Sequence, residues 1–403
     1  MSAQVLTASE LTTPTIAIFI FSVVAVFLVT RSVIGSLAGA LIKAGLFFLN
    51  YWLFFKGQVT GFDDLYYLEM ASKLHGIDFV IMDVFQRRQE VKDLAESAHI
   101  FYPIYNYYGV ALFGDFYFAP VALNVLATLP VAYVGMRLSM AEFGFTRSQA
   151  KMFFFFFLLH PEILAWSTVF NGKETLVLLC HVLFLTGVSL FFRKRVLASI
   201  LVISPVIYVL FGLRFYTPPL FAAAFFAYSV IALKGKYRLA LVALAATCAI
   251  LLFLQLRGGW DYILNVYVSS LNNPLIGFVH FLLTPRPFFT DPEYEFLNWP
   301  SVYHWLVIPL FFMGFVRVYR MKTRFSRYFI YYFITIMIFY SSFSELQGAR
   351  HRYQLAFAFA IFEFLGASAV IKSLLASVRS QRQAVKVDFS AASATYVERR
   401  SLN

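Results

Sequence analysis

The sequence predicts an all-α integral membrane protein with about eleven transmembrane helices and two longer external loops. Of its 403 residues, 60% are hydrophobic and only 13% are charged, which is more apolar side chain than a soluble chain of this length can bury. The mean hydropathy is +0.72. Continuous apolar runs, each long enough to cross a hydrocarbon layer of about 30 Å as a helix, recur along nearly the whole chain. These observations favour a multi-pass helical bundle.

The apolar runs define the predicted helices in order, and each has the length and composition of a membrane span. They are residues 13–30, 33–55, 116–136, 152–170, 175–192, 196–213, 217–233, 239–256, 304–319, 328–343 and 354–373. The connections at 56–115 and 257–303 are the two longer external loops, so one polytopic domain covers residues 1–373. Residues 374–403, which are rich in Ser, Ala and Arg, form a predicted cytoplasmic basic tail without fixed structure. The phenylalanine run at 153–157 is interpreted as lipid-facing bulk.

The distribution of basic residues predicts the orientation of the helices. The loops 193–195, 234–238 and 317–327 carry many Lys and Arg residues and no acidic residue, as is typical of the cytoplasmic side. Counting helices from these loops leaves the C-terminus in the cytoplasm and the N-terminus outside the cell (inner) membrane. The net charge of +12 is therefore a topology signal with some attraction to membrane lipids, and it does not indicate a nucleic-acid partner.

Two features limit the possible chemistry. Cys180 and Cys248 both fall within predicted helices, so neither a disulfide framework nor a thiolate metal site is indicated. The chain also lacks a glycine-rich nucleotide-binding motif, which argues against ATP-driven transport.

The stretch GFDDLYYLEMASKLHG, residues 61–76, puts two adjacent carboxylates at a predicted external membrane boundary. Residues 62–75 can form an amphipathic helix, and Asp63 or Asp64 could simply be its N-cap. Alternatively, a carboxylate held here could act as a general base for a substrate whose lipid tail lies in the bilayer. The pair could also hold a divalent cation, and the sequence indicates no other cofactor.

Motifs within residues 45–190 resemble the C-type (GT-C) membrane glycosyltransferases, a superfamily that includes the protein mannosyltransferases and the lipid A aminoarabinose transferases. The matching motifs are Asp63-Asp64 before LYYLEMASKL, Tyr102-Pro103, and Gly172-Lys173-Glu174. An acidic residue of the first external loop is catalytic in that superfamily, so the resemblance assigns catalysis to Asp63 or Asp64 and substrate binding to Lys173 and Glu174. The chain departs from the pattern at Ile104, where a second proline is usual, and in having an extra first helix.

The same layout resembles the polymerases of O-antigen and exopolysaccharide synthesis. Both classes take a sugar from a polyprenyl-phosphate or polyprenyl-diphosphate carrier on the external face. The resemblance therefore implies an enzyme whose partners are a polyprenyl-linked sugar donor and a glycan or lipid acceptor, and it leaves transferase and polymerase open.

Basic side chains at predicted external helix ends fit the phosphate of such a donor, because guanidinium groups bind phosphate oxygens in pairs. These candidate ligands are Arg214, Arg286, Arg350, His351 and Arg352, together with Lys173. The same arginines could instead extend towards the membrane interface or pair with Glu345.

Charged residues inside predicted helices support a different hypothesis. Glu162, Glu363 and Lys43 would be costly in lipid, so they should face protein or a cavity. A kink at Pro161 could turn Glu162 towards Lys43 as a structural pair. Alternatively, Glu162 and Glu363 could form the proton path of an ion-coupled transporter or flippase, although the chain lacks the two repeated halves that many transporters show.

Overall fold

The computed structural model describes residues 8–55, 64–94, 100–232, 273–290 and 292–377, with the single positions 235, 238 and 271. Within these ranges the regular structure is helical, apart from one isolated bridge between Leu271 and Phe343. Seven of the described helices are long and apolar enough to cross a membrane, or eight if one bent pair counts as a single span. The all-helical, multi-pass class is confirmed. The figure of about eleven spans stays a prediction, and the run 239–256 lies outside the described residues.

The helices of the described ranges follow one another along the chain with short connections between most of them. In order they are α1 (Ala8–Thr30), α2 (Val33–Leu49), α3 (Asp64–His75), α4 (Asp83–Gln86), α5 (Arg88–Leu94), α6 (Phe101–Phe113), α7 (Phe118–Glu142), α8 (Arg147–Leu158), α9 (Pro161–Val169), α10 (Glu174–Phe192), α11 (Val196–Leu213), α12 (Thr217–Ala232), α13 (Pro274–Leu283), α14 (Asn298–Met321), α15 (Arg324–Ser342), α16 (Ala349–Arg352) and α17 (residues 356–377). Helix α2 continues into a π-helical turn (Asn50–Phe54), and short 3₁₀ turns occupy Pro292–Leu297, Ser344–Leu346 and Tyr353–Leu355.

The predicted span 152–170 is a bent pair rather than one helix. Helix α8 ends at Leu158, and α9 begins at Pro161 after a bend of 44°. Proline has no N–H group to continue the first helix, but it suits the first turn of a new one. The break puts Glu162 in the first turn of α9, where it is 3% exposed.

The two long connections contain more helix than the hydropathy pattern predicts. The described parts of 56–115 hold α3 to α6, and the described part of 257–303 holds the apolar helix α13. Helix α13 packs closely on α15, because a side chain at Gly277 would overlap the carbonyl of Ser341. This loop segment is therefore built into the bundle.

The helix ends gather at two opposite ends of the bundle. At one of these, which we call the basic end, Lys151 donates to the carbonyl of Thr30 (3.0 Å) and Arg193 pairs with Glu142 (2.9 Å). At the other, the site end, the Tyr51 hydroxyl of the π-helical turn after α2 donates to the carbonyl at the end of α9 (3.1 Å). Helix α1 begins at the site end, and α17 finishes at the basic end.

Aromatic side chains fill the interior between the helices. Phe153, Phe154 and Phe157 are buried, and the Phe153 ring lies 6.1 Å from Phe357 and 5.4 Å from Phe364 of α17. The interpretation of this run as lipid-facing bulk is therefore wrong for these three residues. They face the core because residues three and four apart lie on the same side of a helix.

Candidate functional site

Several predicted site residues meet at residues 170–174, which join α9 to the first residue of α10. The side-chain nitrogen of Asn171 donates to the carbonyl of Asp64 (3.1 Å) and to the amide oxygen of Asn106 (2.7 Å). Its own amide oxygen accepts the Tyr102 hydroxyl (2.8 Å). All four residues are fully buried, so this network fixes the start of α3 against the segment before α10. The sequence pattern does not single out Asn171 or Asn106, and amides beside long apolar runs are the signal that could have found them.

A further amide supports the same backbone from α7. The side chain of Asn124, which is fully buried, donates to the carbonyls of Phe170 (3.4 Å) and Gly172 (3.2 Å). Buried backbone groups outside helices need such partners. Segment 170–174 is thus held by side chains from α6 and α7.

Asp64 is the first residue of α3 and is fully buried. Its Oδ1 accepts the backbone N–H of Leu65 (2.9 Å), and its Oδ2 accepts the Tyr117 hydroxyl (2.7 Å). The first contact is to the N–H of the next residue, whereas an N-cap side chain accepts from the second or third N–H of its helix, so the N-cap interpretation stays a prediction. The second ties the carboxylate to the beginning of α7, inside the protein. Asp63 lies outside the described residues.

Glu174 brings two of the predicted arginines together. It is 1% exposed, and its Oε1 accepts hydrogen bonds from Arg214 Nη2 (2.9 Å) and Arg350 Nε (2.5 Å). Arg214 follows α11 and Arg350 lies in α16, so three separate parts of the chain converge here. Burial works against the charged form of Arg214, but contact with Tyr216 and Glu174 outweighs it and raises the pKa of the guanidinium. The group therefore stays a cation.

Lys173 and His351 lie beside this cluster. The Lys173 ammonium donates to the Tyr67 hydroxyl (2.8 Å) and is nearly buried. Because Tyr67 belongs to α3, the helix that carries Asp64 contacts segment 170–174 a second time. The partly buried ring of His351 packs at 5.2 Å from Tyr340.

Arg352 lies apart from the Glu174 cluster, although it is only two residues from Arg350. It is 1% exposed and forms an ion pair with Glu162. It also donates to the carbonyls of Leu282 and Thr284. These carbonyls belong to the end of α13, where backbone oxygens have no partner within the helix. Arg352 thus joins α13 to α9.

The other buried charges of the helices also have partners. Glu363 Oε2 lies 3.1 Å from His160 Nε2 and accepts the Tyr303 hydroxyl at 3.4 Å. Lys43 donates to the Thr128 hydroxyl at 2.6 Å. The suggested pairing of Lys43 with Glu162 is therefore wrong, because Glu162 pairs with Arg352. The side chain of Glu345, the other partner suggested for the arginines, lies outside the described residues.

A cavity of about 380 Å³ opens at the site end. Arg350 and Arg286 both line it, and the Arg286 guanidinium makes no hydrogen bond or ion pair with any residue that the structure describes. Other polar side chains on its walls are His280, Thr284, Thr290 and Tyr294. The cavity is thus lined by two guanidinium groups and several hydroxyls.

A second cavity, an apolar groove of about 600 Å³, adjoins the first and shares His280, Thr284 and Arg286 with it. Its remaining walls are Leu275, Ile276, Val279, Leu283 and Trp305. Leu275 and Ile276 are 79% and 63% exposed, as suits side chains that face lipid. Together the two cavities offer a cationic compartment next to an apolar one.

The described residues contain no group of three or more His, Cys, Asp or Glu side chains that could hold a metal ion. Since Asp63 falls outside those residues, a cation at the Asp63-Asp64 pair stays a prediction.

No known protein family, curated protein or solved structure matches this chain. The class that the fold defines is a multi-pass, all-helical membrane protein. The resemblance to GT-C enzymes and to polysaccharide polymerases therefore stays a prediction from short motifs.

Proposed function

We propose that the protein is a membrane glycosyltransferase that moves a sugar from a polyprenyl-(di)phosphate carrier to an envelope glycan or other acceptor on the external face. The observation that carries the proposal is the pair of adjoining cavities. Arg286 and Arg350 line the polar one, and Leu275, Ile276 and Val279 line the apolar one. A lipid phosphate needs both environments, because its head is anionic and its chain is apolar.

The chemistry of transfer would begin at the carboxylate of Asp63 or Asp64. This carboxylate takes the proton of an acceptor hydroxyl as that oxygen attacks the anomeric carbon, and the bond from that carbon to the phosphate oxygen breaks. The departing phosphate keeps the electron pair of the broken bond, and Arg286 and Arg350 stabilise its charge. With no covalent sugar intermediate, the configuration at the anomeric carbon is inverted.

Three hydrogen bonds support a shared site for the base and the phosphate ligands. Asn171 holds the backbone of Asp64, and Glu174, three residues later, holds Arg350 and Arg214. Segment 170–174 therefore links the two groups of residues that the reaction requires. Lys173 lies between these anchors, and His351 follows Arg350 directly.

The contacts of Arg352 favour a supporting role. Its guanidinium is engaged by Glu162 and by the carbonyls of Leu282 and Thr284. Thr284 lines both cavities. Arg352 would thus hold a wall of the donor site, while Arg286 and Arg350 contact the phosphate.

The test is surface-glycan profiling in cells whose own copy is deleted and replaced by variants at matched membrane levels. Asp63→Asn or Asp64→Asn, whichever removes the base, should reduce transfer by about 10²- to 10⁴-fold, the usual effect of losing a general base. Arg286→Ala should weaken donor use. Arg87→Ala is the control, since this arginine pairs with Glu90 on the surface of the same region and does not line either cavity.

The pattern of loss separates the candidate functions. Loss of a single sugar decoration supports a transferase, whereas collapse of long chains to one repeat indicates a polymerase of the O-antigen or exopolysaccharide type. Unchanged glycans with both Asp63→Asn and Asp64→Asn would show that the Asp pair only starts a helix. The transporter hypothesis, built on Glu162 and Glu363, would then be the one to pursue.

Tyr117→Phe removes a hydrogen bond to Asp64 but keeps the carboxylate, so it controls for a purely structural loss.

A further inference from the structure

A separate cleft of about 490 Å³ lies at the basic end of the bundle, opposite the site end. Its walls come from the end of α12, the end of α14 and the start of α15. The side chains that matter for its chemistry are Tyr228, Ile231, Tyr319, Lys322, Arg327 and Tyr331. Its volume lies within the range of about 300–1,000 Å³ that is usual for small-ligand sites.

The cleft exists because α12 and α14 both pack against α15. The Tyr228 ring of α12 lies 5.9 Å from Tyr328 and 6.3 Å from Tyr331 of α15. Lys322 ends α14 and Arg327 lies in the first turn of α15, so the connection between these helices brings both cations to one rim.

The polar groups of the cleft have no hydrogen-bond or ion-pair partner among the residues that the structure describes. Within the described part of the chain, the Lys322 ammonium and the Arg327 guanidinium make no hydrogen bond or ion pair. The same holds for the hydroxyls of Tyr228, Tyr319 and Tyr331. By contrast, Arg193, at the same end, is paired with Glu142. The cleft therefore combines two cations and three hydroxyl donors that have no acceptor among the described residues.

We infer that this cleft binds the phosphate headgroup of an anionic phospholipid. The cations and hydroxyls suit a phosphate diester, and the apolar remainder of the wall suits the first carbons of the acyl chains. Ile231 is 58% exposed and Tyr319 is 67% exposed, which leaves an apolar and aromatic surface beside the cations, at the end of α14, one of the candidate membrane spans. A soluble anion would leave that surface uncovered. The inference does not depend on the proposed enzymatic function, since it concerns the opposite end of the molecule.

The test uses the full chain, purified in detergent and mixed with dioleoyl-phosphatidylglycerol or dioleoyl-phosphatidylcholine, with native mass spectrometry as the readout. Wild type should retain phosphatidylglycerol in preference to phosphatidylcholine. The double variant Lys322→Ala with Arg327→Ala should lose that retention by at least about ten-fold, as loss of charge-assisted hydrogen bonds would cause. The matched control is Lys194→Ala with Arg320→Ala, which removes two exposed cations from the same end outside the cleft.

Three results would overturn the inference. Equal loss in the control would mean general attraction between lipid and a basic surface. Full retention in the cleft variant would mean that the lipid binds elsewhere. Displacement of phosphatidylglycerol by excess inorganic phosphate would assign the cleft to a soluble anion. Arg327→Gln keeps a polar side chain and should lose part of the phosphatidylglycerol retention. It serves as a second variant in case the double variant does not fold.

Discussion

Burial determines how much the ion pair of Glu162 and Arg352 matters to the fold. The two residues are 3% and 1% exposed, so removing either would leave a charge without its partner in a dry interior. Such a change typically destabilises by about 3–5 kcal/mol. We expect Glu162→Gln to lower the unfolding temperature of the purified protein markedly. The joint change of Glu162→Leu with Arg352→Met should recover part of the loss, and a double variant no more stable than the single one would contradict this explanation.

Lys43 is a buried charge whose removal should not destabilise the protein, in contrast to Glu162. Its ammonium is fully buried, and among the described residues it donates to the neutral hydroxyl of Thr128. A buried cation that lacks a carboxylate partner is costly to desolvate. We therefore expect Lys43→Met to leave the unfolding temperature unchanged or to raise it. A fall as large as that of Glu162→Gln would indicate an ionic role for Lys43, and the same thermal assay decides it.

At the residue scale, the sequence identifies the candidate site residues better than it identifies the residues that they contact. Glu174, Arg214 and Arg350 are all predicted site residues, and the structure brings them into one cluster. The sequence groups Arg352 with Arg350 because the two are close in the chain. Residues two apart on an α-helix, however, project about 200° apart, so one helical turn cannot direct both into the same site. The partner of Arg352, Glu162, is 190 residues away in the chain, a distance that no local pattern reveals.

At the scale of elements, two glycines set the approach of α14 to α17. A side chain at Gly314 would overlap the carbonyl of Phe362, and one at Gly366 would overlap the carbonyl of Leu310. We expect Gly314→Ala to destabilise by at least about 1–3 kcal/mol, because overpacking forces the backbones apart. Gly45→Ala in α2 is the control, since nothing lies within 4 Å of the added carbon and alanine favours a helix. The unfolding temperature of Gly314→Ala should lie below that of Gly45→Ala. Equal unfolding temperatures would mean that α14 and α17 can move apart freely.

Hydropathy predicts long helices well and short ones poorly. The predicted span 196–213 coincides with α11, and 175–192 differs from α10 by one residue. The hydropathy pattern does not predict helix α13, because its ten residues are too few for a span. Its position depends on packing and on the hydrogen bonds that its last carbonyls accept from Arg352, His304 and Trp305. These contacts come from residues at least 22 positions away in the chain, so no local pattern reveals them.

At the scale of the whole molecule, the short, strongly basic turns collect at one end of the bundle. The basic end collects turns such as Arg193 to Arg195 and the α14–α15 connection, whereas Asp64 and Glu174 lie at the site end. Basic residues in short loops favour the cytoplasmic side. The arrangement therefore supports the proposal that the site end faces outward, with the start of α1 on the outside and the end of α17 on the inside.

Labelling of single cysteines in intact cells would test this orientation directly. In a background with Cys180→Ala and Cys248→Ala, Gln89→Cys would report on the region of α5, and Lys194→Cys on the turn between α10 and α11. Both positions are exposed. A maleimide that cannot cross membranes should label Gln89→Cys in whole cells, and it should label Lys194→Cys only after the membrane is permeabilised. The reverse pattern would put the two cavities in the cytoplasm, where they could not take a donor from the external face. The proposed function would then fail for reasons of topology, even if every residue of the site proved necessary.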